Sequence, residues 1–443
     1  MSNLRVAVVG AGPAGLYACE ELLKTTDFEV HIDLYDALPT PYGLVRYGVA
    51  PDHQKIKNVT AVFEKIMRDP RLHFHGNVTV GQKELDWMRQ AYHAVLFTVG
   101  AQTDRRLGVP GEDLPGSYSA TDFVAWYNGH PDYKDHKFLL DQPRVAVVGV
   151  GNVAIDVARI LLAGHDRLAT TDIADHALEE LKNCAVKEVH ILARRGPLQA
   201  AFTNPELREL VEMEDVSFEI RSDELKLDPF SQAAHEAEPD KAVSKRLELL
   251  AQATQRPGAD KRLVLRFLVS PLEIQGESRV EKLTLGRNQL TEKLSAKDTG
   301  ERESLEIGTV FRSIGYKGQP LADLPFDEGK GVITNEGGRV VGQPGVYVAG
   351  WIKRGPSGVI GTNKPCAKES AQAILSDALA GRLQTPTHEI HEHLSGHQWV
   401  DFAGWKRLDD HEVNQGKDSG RPRIKVVERA AMLKHSSEEV ATR

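Results

Sequence analysis

The sequence predicts an α/β protein with two parallel-sheet units, and two glycine-rich loops support that prediction. Residues 8–15 read VVGAGPAG and residues 147–154 read VVGVGNVA. Each loop follows a short apolar run, at 4–9 or 144–148, and precedes a segment with helical periodicity. A glycine-rich turn between a strand and a helix directs backbone N–H groups and the helix N-terminus at a pyrophosphate. The two loops therefore predict two Rossmann-like dinucleotide-binding units.

The first unit ends its second strand at an acidic residue. Helical periodicity over residues 14–24 is followed by a strand over 31–35 and then by Asp36, which lies 21 residues after Gly15. An acid near this spacing accepts hydrogen bonds from a ribose 2′-hydroxyl. We therefore expect an adenine dinucleotide without a 2′-phosphate, and FAD is the economical assignment. The residues expected to contact it are Gly10, Gly12, Ala14, Gly15 and Asp36.

The second unit ends the corresponding strand at two cations. A strand predicted over residues 189–193 is followed by Arg194 and Arg195. An arginine at this point neutralises a 2′-phosphate, so we expect the second dinucleotide to be NADP(H). Arg194 lies 40 residues after Ala154, which requires an insertion over 164–185. The residues expected to contact NADP(H) are Gly151, Asn152, Val153, Ala154, Arg194 and Arg195. The alternatives are glycine-bearing turns of an ordinary α/β domain and a solvated arginine pair.

The remaining elements predict that the first unit is discontinuous. The pattern predicts a helix over 55–68, strands over 72–80 and 94–100, and, within the second unit, strands over 263–274, 280–286 and 309–315. Residues 345–350 then form a further apolar strand, and residues 358–362 open a final helix. We expect an FAD-binding domain made of residues 1–104 and 316–443, with an NADP-binding domain of residues 105–315 inserted into it.

Composition excludes several classes of protein. The net charge of −8 argues against nucleic acid as a partner. Cys19, Cys184 and Cys366 are far apart in sequence, which argues against a C-x-x-C dithiol and against a four-cysteine cluster. No metal site is predicted. No apolar run approaches the length of a membrane span, and the chain starts almost directly in a strand, so we expect a cytoplasmic protein without a membrane partner.

Three long strings give the sequence a family resemblance. Residues 41–53 read PYGLVRYGVAPDH, residues 194–203 read RRGPLQAAFT, and residues 350–364 read GWIKRGPSGVIGTNK. With these strings the chain resembles the adrenodoxin reductase family, and within it the bacterial NADPH–ferredoxin reductases. The resemblance extends to a GRPR string at 420–423, which we interpret as a surface clasp.

The resemblance implies further site residues. Those implied to line FAD, beyond the first loop, are Leu44, Val80, Trp351, Gly358, Val359 and Ile360. Those implied to contact NADP(H), beyond the second loop and its arginines, are Arg105 and Glu206. It also pairs His53 with Glu209, and Asp156 lies on the first turn of the helix after the second loop. Because hydride transfer needs no general base, we expect these three candidate catalytic residues to seat the nicotinamide and set the local charge.

The resemblance also implies the reaction. A member of this family is a flavoprotein oxidoreductase that takes hydride from NADPH onto FAD and passes single electrons to a ferredoxin, a small iron–sulfur protein. Ferredoxins are typically acidic, so a basic docking face is expected. Lys241, Lys245 and Arg246 are the candidates for that face, and a solvated helix face is the alternative.

Two other functions stay open on the sequence. One is an electron-input subunit of the glutamate-synthase type that serves a partner enzyme, although the chain carries no N-terminal cysteine cluster. The other is a nucleotide-sensing binding module without turnover. A stable co-purifying partner would favour the first, and absence of NADPH consumption with an artificial acceptor would favour the second.

Overall fold

The computed structural model describes residues 2–254, 259–389 and 398–437. The N-terminal part alternates strands and helices. Its elements are β1 (Ser2–Val9), α1 (Pro13–Leu23), β2 (Phe28–Asp36), α2 (Leu44–Tyr47), α3 (Gln54–Lys57), α4 (Thr60–Met67), β3 (Leu72–Gly76), α5 (Gln82–Ala91) and β4 (Ala94–Phe97). The strand–loop–helix order predicted around the first glycine-rich loop is confirmed.

The middle of the chain repeats this alternation and then adds an antiparallel region. Its elements up to the tenth strand are β5 (Thr103–Asp104), β6 (Ser117–Ser119), α6 (Ala120–Tyr127), β7 (Arg144–Val148), α7 (Asn152–Leu162), α8 (His165–Leu168), α9 (Asp175–Lys182), β8 (Glu188–Leu192), a 3-10 turn (Pro197–Gln199), α10 (Asn204–Val211), β9 (Val216–Ile220), α11 (Ser222–Leu225), α12 (Pro229–Ala237), α13 (Lys241–Ala253) and β10 (Lys261–Arg266). The strands that follow are β11 (Val269–Gln275), β12 (Lys282–Leu290), β13 (Ala296–Glu306) and β14 (Thr309–Arg312).

The C-terminal part consists of short strands followed by helices. Its elements are β15 (Tyr316–Lys317), β16 (Phe326–Asp327), β17 (Val332–Ile333), β18 (Asn335–Glu336), β19 (Arg339–Val340), β20 (Val346–Val348), α14 (Trp351–Arg354), a 3-10 turn (Ile360–Thr362), α15 (Asn363–Leu379), α16 (Phe402–Asp418) and α17 (Arg429–Ser436). No helix among the described residues is long and apolar enough to cross a membrane.

Two large sheets organise the molecule. The first has the strand order β18-β19-β20-β4-β1-β2-β3, and β20, β4, β1, β2 and β3 run parallel. The second has the order β6-β14-β7-β8-β10-β9 and is parallel throughout. A separate antiparallel sheet joins β11, β12 and β13. Because the first sheet takes strands from both ends of the chain and the second takes strands only from between them, the predicted fold class is confirmed.

Buried apolar strands explain why these segments form the sheets. The side chains of Val145, Ala146, Val147 and Val148 in β7 are all buried, as expected for a parallel strand with both faces covered. The core on one side of the first sheet likewise combines N-terminal and C-terminal residues, including Leu16, Ile374 and Trp405. The two ends of the chain thus share one hydrophobic core.

Buried ions join the two sheet units. The Nζ of Lys57, on α3, donates to both carboxylate oxygens of Asp172 at 2.6 and 2.8 Å, and the Nζ of Lys425 lies 3.5 Å from the same carboxylate. All three residues are buried. Burial alone would raise the pKa of Asp172, but Lys425 and Lys57 hold it at about 2. The carboxylate is therefore charged and fixes α3 to the segment between α8 and α9.

The C-terminal segment 421–429 lies across the same junction. The Nε–H of Arg421 donates to the carbonyl of Thr171 at 2.9 Å, on the inserted unit. Arg429 donates to the carbonyl of Ala37 at 2.8 Å, on the first unit, and to Asp132 at 3.1 Å. Gly420 and Pro422 are exposed, as expected for a clasp at the surface, whereas the Arg421 side chain is only 7% exposed and is directed inward.

The buried carboxylate of Glu412, on α16, binds the C-terminal segment 421–429. Its carboxylate accepts from the Arg46 guanidinium at 2.5 and 2.9 Å, from Arg423 at 3.1 Å and from the N–H of Val426 at 2.9 Å. The Glu412 side chain is fully buried, and that of Arg46 is 4% exposed. Loss of the Glu412 charge would leave the Arg46 guanidinium buried without its counter-ion.

We expect Glu412→Gln to lower the free energy of unfolding by about 3–5 kcal/mol, since a buried charge without its partner is strongly destabilising. The matched control is Asp298→Asn, which removes the partner of Arg302 in an ion pair that is about half exposed. The control should cost less than about 1 kcal/mol. Denaturant unfolding of both variants measures the difference, and equal losses would contradict this role of the buried pair.

Candidate active site

The first glycine-rich loop turns sharply between β1 and α1. Gly10 has a φ of +110°, which favours glycine, and its N–H donates to the carbonyl of Tyr35 at 2.7 Å. α1 begins without a side-chain cap on its first N–H groups, whereas α6 and α13 are capped by side chains. A Cβ added at Gly12 would meet nothing closer than the Cα of Gly43, at 3.9 Å. Uncapped N–H groups facing open space fit a bound phosphate.

Asp36 lies at the end of β2 and holds this loop with its carboxylate. Oδ2 accepts from the N–H of Ala11 at 2.8 Å, and Oδ1 accepts from the N–H of Leu38 at 2.9 Å. Burial raises the pKa of Asp36 to about 6, although both N–H groups favour the charged form. Each carboxylate oxygen keeps a second lone pair, which can accept a ribose hydroxyl.

The C-terminal part of the chain packs against the same loop. A Cβ added at Gly350 would lie 2.6 Å from the Cβ of Ala14, so the turn between β20 and α14 touches the start of α1. Trp351 follows this turn. Its Nε1–H donates to the carbonyl of Ser357 at 3.2 Å, and its ring centre lies 5.2 Å from that of Tyr316. The structure therefore brings the N-terminal and C-terminal candidate residues for FAD together.

The other residues predicted to line FAD differ in exposure. Leu44 and Val359 are 37% and 57% exposed, and Val359 lies between the candidates Gly358 and Ile360. Exposed apolar side chains near a glycine-rich, phosphate-binding loop fit the aromatic ring system of a large cofactor. Val80 differs, because its side chain is buried in the core of the first sheet.

The second glycine-rich loop repeats the geometry of the first. Gly149 has a φ of +128°, and its N–H donates to the carbonyl of Leu192 at 2.9 Å. α7 also begins without a side-chain cap, and a Cβ added at Gly151 would meet nothing within 4 Å. The Oδ1 of Asn152 accepts from the N–H of Thr203 at 2.8 Å. Asn152 thus orients the segment after β8 as well as starting α7.

Arg194 and Arg195 follow β8, which pairs directly with β7. Both side chains are exposed, and neither has a charged or hydrogen-bonding partner within residues 2–254, 259–389 and 398–437. The insertion predicted between Ala154 and Arg194 consists of α8 and α9. Val153 and Ala154 form the first turn of α7, and Ala154 is fully buried. Two unpaired guanidinium groups beside an uncapped helix fit a 2′-phosphate.

Arg105 lies where the chain crosses between the two units. Its N–H donates to the carbonyl of Gly315 at 3.1 Å, and its guanidinium lies 3.4 Å from the carbonyls of Gly329 and Lys330. The structure thus holds the backbone of Arg105 near the second unit but orients its side chain toward residues 329–330.

His53 is the centre of a charged cluster between the two units. It lies just before α3, and its side chain is 5% exposed. Its Nε2 lies 2.6 Å from the Oε2 of Glu209 and 3.5 Å from the Oε2 of Glu206, both on α10. Its Nδ1 lies 3.9 Å from the Oδ1 of Asp156 on α7. The structure therefore brings the three candidate catalytic residues together across the junction, and Glu206 joins them.

Two members of this cluster were missed by the sequence argument. Arg159 is fully buried, and its Nη2 donates to Asp156 at 2.5 Å while its Nη1 binds Asp52. Arg159 also lies 3.8 Å from Glu209. Two features of the sequence could have indicated these residues. Arg159 lies three residues after Asp156 on a mostly apolar helix, and Asp52 is the acid next to His53.

The carboxylates of the cluster crowd one another. Burial, reinforced by Asp156, raises the pKa of Glu206 to about 7. Burial also raises the pKa of Asp156, while Arg159 and His53 oppose that shift. The Oε2 of Glu206 is buried without a hydrogen-bond partner among the described residues. Burial therefore favours the neutral forms of Glu206 and Asp156, and the neighbouring Arg159 and His53 oppose that effect.

A cleft of about 460 Å³ opens onto the cluster. The residues that line it are Asp52, His53, Gln54, Lys55, Ile56, Arg167, Glu209 and Glu212. Glu209 is 48% exposed on its side chain, so it forms the boundary between the buried cluster and solvent.

The candidate docking cations are arranged unequally on α13. Lys241 and Lys245 are exposed, and Lys245 pairs with Glu248 at 2.9 Å. Arg246 is half-buried, donates to the carbonyl of Ala200 and lies over the ring of Phe202. The charge of Arg246 is therefore directed into the protein.

Comparisons with known proteins show that the chain is similar to several oxidoreductases. A family model described as pyridine nucleotide-disulphide oxidoreductase matches residues 4–221. NADPH-ferredoxin reductase FprA of Mycobacterium tuberculosis is 47% identical, over 97% of this chain and 98% of its own length. The mitochondrial NADPH:adrenodoxin oxidoreductase of Salvelinus fontinalis is 40% identical, over 98% of this chain and 91% of its own length.

A solved structure gives the same relation. Mycobacterium tuberculosis FprA in complex with NADPH superposes with a TM-score of 0.91, at 44% identity, over 98% of this chain and 99% of that chain. Identity of this extent over nearly the whole length confirms the resemblance found in the sequence. The chain belongs to the adrenodoxin reductase family, which includes the NADPH–ferredoxin reductases.

Proposed function

We propose that this chain is an FAD-dependent NADPH–ferredoxin oxidoreductase. The observation that carries the proposal is the arrangement of two uncapped glycine-rich loops, one beside an acid and one beside two free arginines, around one buried charged cluster. Near-complete matches to NADPH-ferredoxin reductases support this function over an electron-input subunit or a nucleotide sensor. When bound, FAD accepts a hydride and releases its electrons singly, as transfer to an iron–sulfur protein requires.

Residues of the first unit and of the C-terminal part would hold FAD. The N–H groups at the start of α1 would bind its pyrophosphate, and the carboxylate of Asp36 would accept a hydrogen bond from its ribose hydroxyl. Leu44, Trp351 and Val359 would contact its apolar part. The partition into residues 1–104 with 316–443 and residues 105–315 is part of this proposal, and the strands that both chain ends give to the first sheet support it.

The charged cluster would seat the nicotinamide. His53 belongs to the first unit, whereas Glu206, Glu209 and Asp156 belong to the second, and this position between the units supports the proposal that the two coenzymes would meet there. A hydride leaving NADPH makes the nicotinamide ring positive, and buried carboxylates stabilise that charge. Arg159 forms ion pairs with Asp156 and Asp52, which holds both carboxylates in place and reduces the net negative charge of the cluster.

The ferredoxin partner would dock through exposed cations near α13. Lys241 and Lys245 keep their charges at the surface, which supports them as docking residues. Arg246 receives less support, because its guanidinium is bound to the protein's own backbone. The cytoplasmic location stays a prediction.

Arg194→Ala with Arg195→Ala should reduce the preference for NADPH over NADH by on the order of 100-fold in kcat/KM. Each charged contact to the phosphate contributes at least about 1.5 kcal/mol, and two give about 3 kcal/mol. The loss should fall mainly on the KM for NADPH, because the phosphate is remote from the hydride. Steady-state kinetics with both coenzymes measure it. Arg302→Ala, an exposed arginine on β13, is the control, and an unchanged ratio in the double variant would refute this phosphate site.

His53→Gln and Glu209→Ala should keep FAD but slow its reduction by NADPH roughly 10- to 100-fold, as a small misplacement of the reacting groups does. Anaerobic stopped-flow absorbance measures the rate, and the flavin content of the purified variants measures retention. Glu212→Gln, which changes an exposed glutamate on the wall of the same cleft, is the matched control. Loss of FAD from either variant would show that the residue has a structural role. Flavin reduction at the wild-type rate would show that the residue has no role in seating the nicotinamide.

Lys241→Glu with Lys245→Glu should raise the KM for ferredoxin several-fold and flatten its dependence on salt, because steering by exposed charges is screened within about 8 Å at physiological ionic strength. Reduction of a small neutral acceptor should not change. Lys297→Glu, an exposed lysine on β13, is the control. A double variant with the ferredoxin KM of the wild type would remove this face from docking.

A further inference from the structure

Three side chains at or next to the cleft place possible ligand atoms close together. They are His53 and Glu209, which line the cleft, and Glu206, and one ligand atom from each lies within 4.8 Å of the others. One nitrogen and two carboxylate oxygens are a donor set that Zn²⁺ accepts, with water in the fourth position.

The distances fit a tetrahedral zinc ion. Bonds of 2.0–2.2 Å from zinc to nitrogen and oxygen place neighbouring ligand atoms roughly 3.3–3.6 Å apart. The Nε2 of His53 already lies 3.5 Å from the Oε2 of Glu206. The distance from Nε2 to the Oε2 of Glu209 is 2.6 Å and must open, and the Glu209 side chain is 48% exposed and lines the cleft, which leaves space on that side for the shift. Binding thus needs a shift of one ligand side chain.

A second observation points to a cation at this position. The Oε2 of Glu206 is buried and has no hydrogen-bond partner among the described residues, and Glu206 as a whole is 8% exposed. A buried carboxylate oxygen without a donor is destabilising. A cation between Glu206 and His53 would satisfy that oxygen, which the hydrogen bond from His53 to Glu209 does not.

The surroundings supply the support that a metal-binding histidine needs. The Nδ1 of His53 faces the carboxylate of Asp156 at 3.9 Å, and Arg159 holds that carboxylate from the other side. A histidine that binds metal through Nε2 commonly donates its Nδ1–H to a carboxylate, and Asp156, at 3.9 Å, is the carboxylate that would accept it after a small approach. On binding, zinc replaces the proton between Nε2 and Glu209, and also the proton that Glu206, with its pKa raised to about 7, carries in its neutral form; both protons leave to solvent.

We propose that His53, Glu206 and Glu209 form a Zn²⁺-binding site whose occupation blocks reduction of the protein by NADPH. The blocking effect rests on the proposed function, because zinc would take the histidine and carboxylates that seat the nicotinamide. The binding itself depends only on the three ligands. The 460 Å³ cleft provides the entry path and room for a water ligand.

Binding is tested on the chelator-treated, flavin-loaded protein, titrated with Zn²⁺ against a zinc indicator. We expect one equivalent bound by the wild type, weakened at least about tenfold in Glu206→Gln and in His53→Gln. The control is His411→Gln, since His411 stacks on His435 at 3.8 Å between ring centres and is a competing histidine site. Wild-type affinity in Glu206→Gln, or loss of the tight site in His411→Gln, would overturn the proposal.

Glu209→Gln is the second variant should Glu206→Gln fail to fold, because Glu209 is half-exposed and its loss leaves the core intact. The Glu209→Gln variant should also lose the one tightly bound equivalent of Zn²⁺. If this variant kept that equivalent, the proposed site would be refuted. Inhibition is measured separately, as the rate of flavin reduction by NADPH with and without one equivalent of Zn²⁺, reversed by chelator. Tight binding without slower reduction would refute the blocking effect, and a protein that NADPH never reduces would refute the proposed function while the binding result stands.

Discussion

The contact of Asp172 with Lys57 and Lys425 is the interaction on which the rest of the structure depends. Two nucleotide-binding units can serve one reaction only if their relative position is fixed to within a fraction of an ångström. A flexible polar interface would not meet that requirement. Here a buried carboxylate from the middle of the chain accepts from Lys57 and lies 3.5 Å from Lys425, so one lysine comes from each end of the chain. Burial lowers the pKa of both lysines, and moving them away would leave the Asp172 carboxylate buried without its partners.

The charged cluster exists only because of that fixed junction. His53 comes from the loop before α3 and its carboxylate neighbours come from α7 and α10, so neither unit contains the cluster alone. Lys57, the last residue of α3, is four residues from His53. The same short helix therefore holds the junction at one end and places the imidazole at the other.

The sequence predicted the parts of this protein whose chemistry is local. The two loops, Asp36 and the arginine pair follow from spacing along one strand–loop–helix unit, and the structure shows the expected turns. Arg159, Asp52 and Asp172 could not be found that way, because each matters through a partner distant in the chain. The orientation of a long side chain was equally inaccessible, as the inward guanidinium of Arg246 and the displaced one of Arg105 show.

The discontinuous first sheet has a consequence for synthesis on the ribosome. β4 emerges early, but its neighbour β20 follows about 250 residues later, and contacts at such separation close slowly. Until then β4 is an open edge able to pair with other nascent chains. The second sheet and its core are built only from residues of the middle of the chain, between β6 and β14. All the strands of the second sheet are therefore synthesised before β20 can close the first sheet.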